Sequence, residues 1–238
     1  MPRRWLATRR RKAVAAAVAG TIVVATTASA LTFTPLFGAR RFDVTGNRTL
    51  ESEQVLAAAG LELGTNVAHL DAGEVEDRLR ADPWVEDATV ERDLPGTVII
   101  HVRERVPVVK LLGGTALAGD GTALPGAEAA RLPEIRSSYG SLQPGSAAAA
   151  AAAVAALAPR IRDRVLAVVV QPDGWMQVQL RNGVGVIYGD ASGPDAKAAS
   201  LQAILRWANE VRSDLRRVDV SVPSTPSVIL ADGSTFVP

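Results

Sequence analysis

The chain has no cysteine and only two histidines in 238 residues. Without cysteine it holds neither a disulfide framework nor a thiolate metal site. The histidines, His69 and His101, fall in different predicted elements with no third ligand at a useful spacing, so neither a metal nor a cofactor is expected. Lysine is nearly as scarce, with Lys12, Lys110 and Lys197 the only three. Six of the 26 basic residues (Arg3, Arg4, Arg9, Arg10, Arg11, Lys12) crowd the N-terminus, which leaves 20 against 25 acidic groups for the rest. That mildly acidic remainder offers no basic face for phosphate, so nucleic acid is not an expected partner. Catalytic motifs are missing too. No S-x-x-K occurs, and Gly189 to Gly193 lacks the spacing of a nucleophile elbow. Gly183, Gly185 and Gly189 fall within a strand pattern with no helix behind them to aim N–H groups at a phosphate. Glu86, Asp87, Glu91 and Glu104 decorate one hairpin face, where glycosidase chemistry needs two convergent acids in a cleft. An enzyme, and with it a small-molecule substrate, is not expected.

Charge is also absent from Ala13 to Ala39, which is the strongest positive signal in the sequence. About 20 apolar residues at ~1.5 Å rise cross the hydrocarbon core. The sequence therefore predicts a basic cytoplasmic tail over residues 1–12, a transmembrane helix over 13–39, and everything from Arg40 onward outside the membrane, by the positive-inside bias. Ala28-Ser29-Ala30 has the small-x-small pattern of a signal-peptide cleavage site and gives the rival expectation. The apolar run continuing through Leu31, Phe33, Leu36 and Phe37 favours the retained anchor. A twin-arginine signal at Arg3-Arg4 is weaker, its surroundings being only generically basic.

Residues 40–110 read as one compact domain. Phe42 and Val44 share a face of a short strand that Gly46-Asn47 ends. Thr49 or Ser52 can cap a helix with Val55, Leu56 and Ala59 on its apolar face and Gly60 as its stop; Asp71 caps a second, carrying Val75 and Leu79 and ending at Asp82-Pro83. Ala88 and Val90, then Val98, Ile100 and Val102, mark two strands joined through Leu94-Pro95-Gly96-Thr97, read as a type II turn. The order strand, helix, helix, strand, strand predicts a sheet with one face under two helices and the other wet.

Residues 111–238 are strand-rich. Val108 to Leu112, Thr115 to Ala118, Val165 to Gln171, Met176 to Leu180 and Val184 to Tyr188 are β-type runs bounded by Gly-Asp-Gly, Pro-Asp-Gly and Arg-Asn-Gly turns. Asp195 to Val211 is an amphipathic helix, and Ala147 to Leu157 is read as an alanine helix on the sheet, with a low-complexity loop as the alternative. The fold class is α+β: an anchor, a β-α-α-β-β domain, and a mixed α/β second domain.

Four motifs resemble one family. These are F-x-V-x-G-N-x-T from Phe42, D-P-W-V-x-x-A-x-V-x-R from Asp82, L-P-G-T-V-x-I-x-V-x-E-R-x-P-V from Leu94, and the β-α-α-β-β order just outside a single anchor. Together they resemble the POTRA domain of the FtsQ/DivIB cell-division family. Gly174 to Asp190, Asp195 to Leu205 and Arg216 to Ile229 are similar to the second extracytoplasmic domain of its actinobacterial branch. The resemblance implies a non-enzymatic scaffold at the division septum that holds two bitopic partners, FtsB/DivIC-like and FtsL-like, and so helps regulate septal peptidoglycan synthesis. It further implies that a partner strand adds to the sheet edge of the second domain. On this chain that edge maps to Arg217, Val218, Asp219, Val220, Ser221, Val222, Ser227 and Val228, a segment without an aromatic residue. Pro223 and Pro226 agree, since proline in sheets is confined to edges and bulges. The competing classes are a cell-wall enzyme, which needs a convergent polar cluster, and a POTRA-type translocation accessory, which needs a barrel whose repeated amphipathic strands are absent here.

Overall fold

A computed structural model describes residues 18–26, 29 and 32–237. Two compact units divide the chain between Glu104 and Arg105.

In the first unit the chain enters through a 3-10 turn, Pro35–Phe37, and a bridge between Gly38 and Asn66. Strand β1 (Arg41–Thr45), helices α1 (Ser52–Ala59) and α2 (Ala72–Arg80), and strands β2 (Val85–Asp93) and β3 (Thr97–Glu104) follow in the expected order. The sheet runs β1-β3-β2, with β3 parallel to β1 and antiparallel to β2. Alternation decides which side is dry. Ala88, Val90, Val98, Ile100 and Val102 face Val55, Ala59, Val75 and Leu79 of the helices in one buried cluster. The opposite face carries exposed His101, which shares a 2.6 Å hydrogen bond with Thr45 of the neighbouring strand. Asp71 caps α2 by accepting from the Glu74 N–H at 3.2 Å, and Gly60 closes α1 in the left-handed region.

Several local expectations are corrected. Helix α1 is capped by Glu51 in a reciprocal box with Gln54, not by Thr49 or Ser52. The β2–β3 connection is not a type II turn, because its Leu94-Pro95 peptide is cis and Gly96 lacks positive φ. Gly96 is required for another reason: a Cβ there would sit 2.9 Å from the Gly38 carbonyl oxygen and 2.8 Å from the Arg40 side chain. Residues 32–39 belong to this folded unit and not to a spanning helix: Ala39 is buried, and Thr32 contacts both Asn66 and His69. Residues 18–26 are helical, but no helix among the described residues is long and apolar enough to cross a membrane. The basic tail over residues 1–12, and residues 13–17, 27, 28, 30 and 31 of the expected span, lie outside the described residues. Arg105 to Lys110 fall in the second unit, because β4 (Pro107–Leu111) pairs into its sheet.

The second unit is a ten-stranded sheet in the order β13-β12-β11-β10-β9-β8-β7-β4-β5-β6. After β4 come β5 (Ala116–Ala118), β6 (Ala123–Leu124), β7 (Glu134–Ser137), helix α3 (Ser146–Ala156), the short α4 (Pro159–Arg162), β8 (Val165–Val170), β9 (Met176–Leu180) and β10 (Gly185–Gly189). Helix α5 (Pro194–Glu210), β11 (Leu215–Asp219), β12 (Ser227–Leu230) and β13 (Thr235–Phe236) complete it. In β9 Met176, Val178 and Leu180 point into the core while Gln177 and Gln179 point to water, the period-2 mark of a sheet covered on one side. Helices α3 and α5 pack against one another on the covered side. Alanine makes α3 thin: Ala150, Ala151, Ala153 and Val154 are all buried in the main cluster. The expected helix therefore forms, and the loop alternative does not.

Candidate partner-docking site

The predicted edge residues occupy three different settings. Arg217, Val218 and Asp219 lie in β11, which is not an edge. It pairs parallel with β10 on one side (Arg217 opposite Gly185, Val218 opposite Val186) and antiparallel with β12 on the other (Val218 opposite Val228, Asp219 opposite Ser227). Val220 is fully buried and its N–H donates to the Ile187 carbonyl at 3.0 Å. Ser221 lies just past the strand, with its N–H and Oγ both donating to Asp219 Oδ1 at 2.9 and 2.7 Å. Val222 projects into solvent, 54% exposed. Ser227 and Val228 sit in the penultimate strand, and Pro223 and Pro226 lie in the β11–β12 connection, outside any strand.

The sheet ends one strand further on, at β13, where Val228 pairs with Phe236 and Ile229 with Thr235. The Leu230 N–H donates to the Ser234 carbonyl at 2.9 Å, which makes that pair a bonded one. Antiparallel pairs alternate, so Phe236 is bonded inward and the N–H and C=O of Thr235 point to the open side. Phe236 also supplies the aromatic group missing from the expected segment. Its ring stacks on Trp207 of α5 with centroids 5.2 Å apart and planes 9° from parallel. The signal for this strand was Asp232-Gly233, a turn dipeptide directly after the apolar Val228 to Ala231.

Trp207 continues into an open groove of about 770 Å³ between α5 and the β11–β12 connection. Its walls are Ala199, Ala203, Ile204 and Trp207 on the helix and Pro223 and Pro226 on the loop. Ser200 adds a hydroxyl whose oxygen is buried and has no hydrogen-bond partner. An open strand edge, a stacked aromatic pair and an apolar groove thus adjoin at one corner of the sheet.

A charged cluster stands at the start of α5. Lys197 is 1% exposed, and its Nζ donates to the Asp190 carbonyl at 2.8 Å and to Asp190 Oδ1 at 2.6 Å, with the Tyr188 ring centroid 5.2 Å away. Hydrogen bonds from Lys197 and Ser192 hold the Asp190 carboxyl down at about 2, while burial and then Asp195 push the Tyr188 hydroxyl up to about 12. The Ser192 hydroxyl donates to the same carboxylate at 2.6 Å, so the buried cation and the hydroxyl together fasten this loop to the start of α5. That loop bears on the docking corner. Gly189, at φ 81°, lets Ser221 approach so closely that a Cβ would stand 2.8 Å from the serine Cβ. No cluster of three or more metal-ligating side chains occurs among the described residues.

Comparison with known proteins adds a lineage to this geometry. Residues 37–105 match the family model described as POTRA domain, FtsQ-type. Cell division protein FtsQ of Mycobacterium leprae (strain Br4923) is 32% identical over 204 residues, covering 84% of this chain and 58% of the relative. FtsQ of Mycobacteroides abscessus is 28% identical over 209 residues, covering 84% and 64%. Cell division protein DivIB of Geobacillus kaustophilus is 37% identical over 70 residues, covering 29% and 27%. The chain therefore spans less than two thirds of the length of these relatives.

Proposed function

The chain belongs to the FtsQ/DivIB family of cell-division proteins, and from that premise we propose that it is a non-enzymatic scaffold of the division septum. It sits in the cell membrane by one span, with its N-terminus cytoplasmic and both units outside. Support for the span comes from Ala13 to Leu31, still 19 residues without a charge after 32–39 are given to the fold. As a helix at ~1.5 Å per residue they reach ~28 Å, about the hydrocarbon thickness. In the helical residues 18–26, Val18, Ile22, Val23 and Val24 are all exposed, as a lipid-facing surface requires.

The observation that carries the scaffold reading is the open β13 edge beside the Trp207–Phe236 stack and the apolar groove. Strand addition supplies main-chain hydrogen bonds, and an adjoining apolar groove can take the side chains or the helix that flank the incoming strand. The partners are FtsB/DivIC-like and FtsL-like bitopic proteins, and holding them regulates septal peptidoglycan synthesis. The test is capture of these partners by the full chain from its native membrane. Thr235→Pro removes only the outward donor, and Phe236→Ala removes the stacked ring. Each should leave the fold intact by circular dichroism and reduce capture about tenfold or more. Undiminished capture by both folded variants would remove β13 as the docking edge.

A further inference from the structure

We infer that the end of the first unit at which the chain enters is a lipid-binding foot, which dips Phe33, Leu36, Leu63 and Leu94 into the membrane interface and so fixes how the unit stands. Between residues 32 and 104 these four are the only large hydrophobic side chains that are strongly exposed, at 68, 58, 73 and 55%. They come from three separate segments whose backbones are joined near Gly38. Leu36 lies in the 3-10 turn two residues before it. Leu63 adjoins Gly64, whose N–H donates to the Ala39 carbonyl at 2.8 Å. Leu94 opens the connection ending in Gly96, whose carbonyl accepts from Arg40 at 2.8 Å. Phe33 stacks on His69 at 4.1 Å, while Thr32 joins the same histidine through a 2.8 Å hydrogen bond and accepts at its carbonyl from Asn66. The entering segment is thereby stitched to the loop that carries Leu63.

The occupant follows from what leads into the patch. The uncharged residues 13–31 arrive directly at Thr32, so whatever surface they emerge from lies against these four side chains. A bilayer accepts Phe and Leu at its interface, and solvent gives no reason to gather them at one end of a unit whose other exposed positions are small or polar. The rim mixes signs, with Arg40 and Arg92 beside Glu62 and Asp93, so the contact is apolar and independent of anionic lipid. The inference rests on the membrane anchor proposed above.

The absence of native cysteine makes the test direct. Leu63→Cys and Leu94→Cys in the full chain, each labelled with an environment-sensitive fluorophore, are reconstituted into phosphatidylcholine vesicles carrying brominated lipid. Both positions are more than half exposed, so labelling leaves the core untouched. Glu86→Cys, at the far end of β2 from Leu94, is the reference. Labels at 63 and 94 should shift to the blue and lose intensity to the brominated lipid, equally at low and high salt, and the label at 86 should do neither. If the chain fails to float with the vesicles, the anchor and the foot fall together. If it floats but the labels at 63 and 94 are no more quenched than the one at 86, or quenching follows protein density and not lipid, the anchor stands and the foot is wrong.

Discussion

Glu104 shows how one carboxylate can close a loop. It ends β3, and its oxygens accept the backbone N–H groups of Arg48 at 2.8 Å, Thr49 at 2.9 and 3.1 Å, and Leu50 at 2.9 Å. Partial burial pushes this carboxyl up, but the bonds from Leu50, Arg48 and Thr49 outweigh it and hold the group below its usual range. Only the ionised form accepts all of them. The unfolded chain therefore binds the proton more readily, and the contribution is complete above an ordinary glutamate value of about 4.5 and lost as pH falls through the lower folded value. Glu104→Ala should destabilise the first unit by about 1–2 kcal/mol near neutral pH, with solvent screening keeping it at that level. Glu104→Gln should cost less and flatten the acid limb of stability measured by urea unfolding between about pH 5 and 3. An unchanged acid limb would show that the N–H groups are satisfied without the charge.

Among the elements, the segment after α5 separates what sequence patterns can and cannot say. Alternation places Val218, Val220 and Val222 on one parity, but only the first two belong to the ladder: Val220 donates to Ile187 and is buried, while Val222 stands in the connection. Val220→Pro should remove a bond and a packed position and cost the second unit ~3 kcal/mol or more, whereas Val222→Pro should leave its thermal transition nearly unmoved. Equal losses in the two would refute this placement. The misplaced edge has a simple cause. Proline does mark edges, but Pro223 and Pro226 lie between strands, where the rule carries no information. In the first unit, alternation, Asp71 and Gly60 were enough to find its three strands and two α-helices, though not its 3-10 turns, the Glu51 cap or the cis Leu94-Pro95 connection. Two to four residues are too few for a period, so β6 and β7 were not legible and β13 was marked only by the Asp232-Gly233 turn before it, while β7 is further defined by parallel pairing with the distant β4 and β8. Lys197 lay on the apolar face of α5, four residues before Leu201, and that register was the available sign of its burial.

For the molecule as a whole, each unit closes its own apolar cluster, with members drawn only from its own side of Glu104. Fragments 32–104 and 105–237 should therefore each fold alone and unfold in urea as single cooperative transitions, with the larger giving the steeper slope. A fragment without a cooperative transition would mean that its core needs the other unit. The order of the larger sheet carries a consequence for how the chain is made. Read from β6 outward, the strands follow as β5, β4, β7, β8, β9, β10, β11, β12 and β13, so after the first three each new strand docks on one already delivered. A chain leaving a channel N-terminus first can assemble this sheet as it emerges, without waiting for a late strand to insert between earlier ones. The open edge is the last strand to arrive. The corner that β13 forms with the Trp207–Phe236 stack is therefore complete only once residue 236 has emerged, after the nine strands inside it are in place.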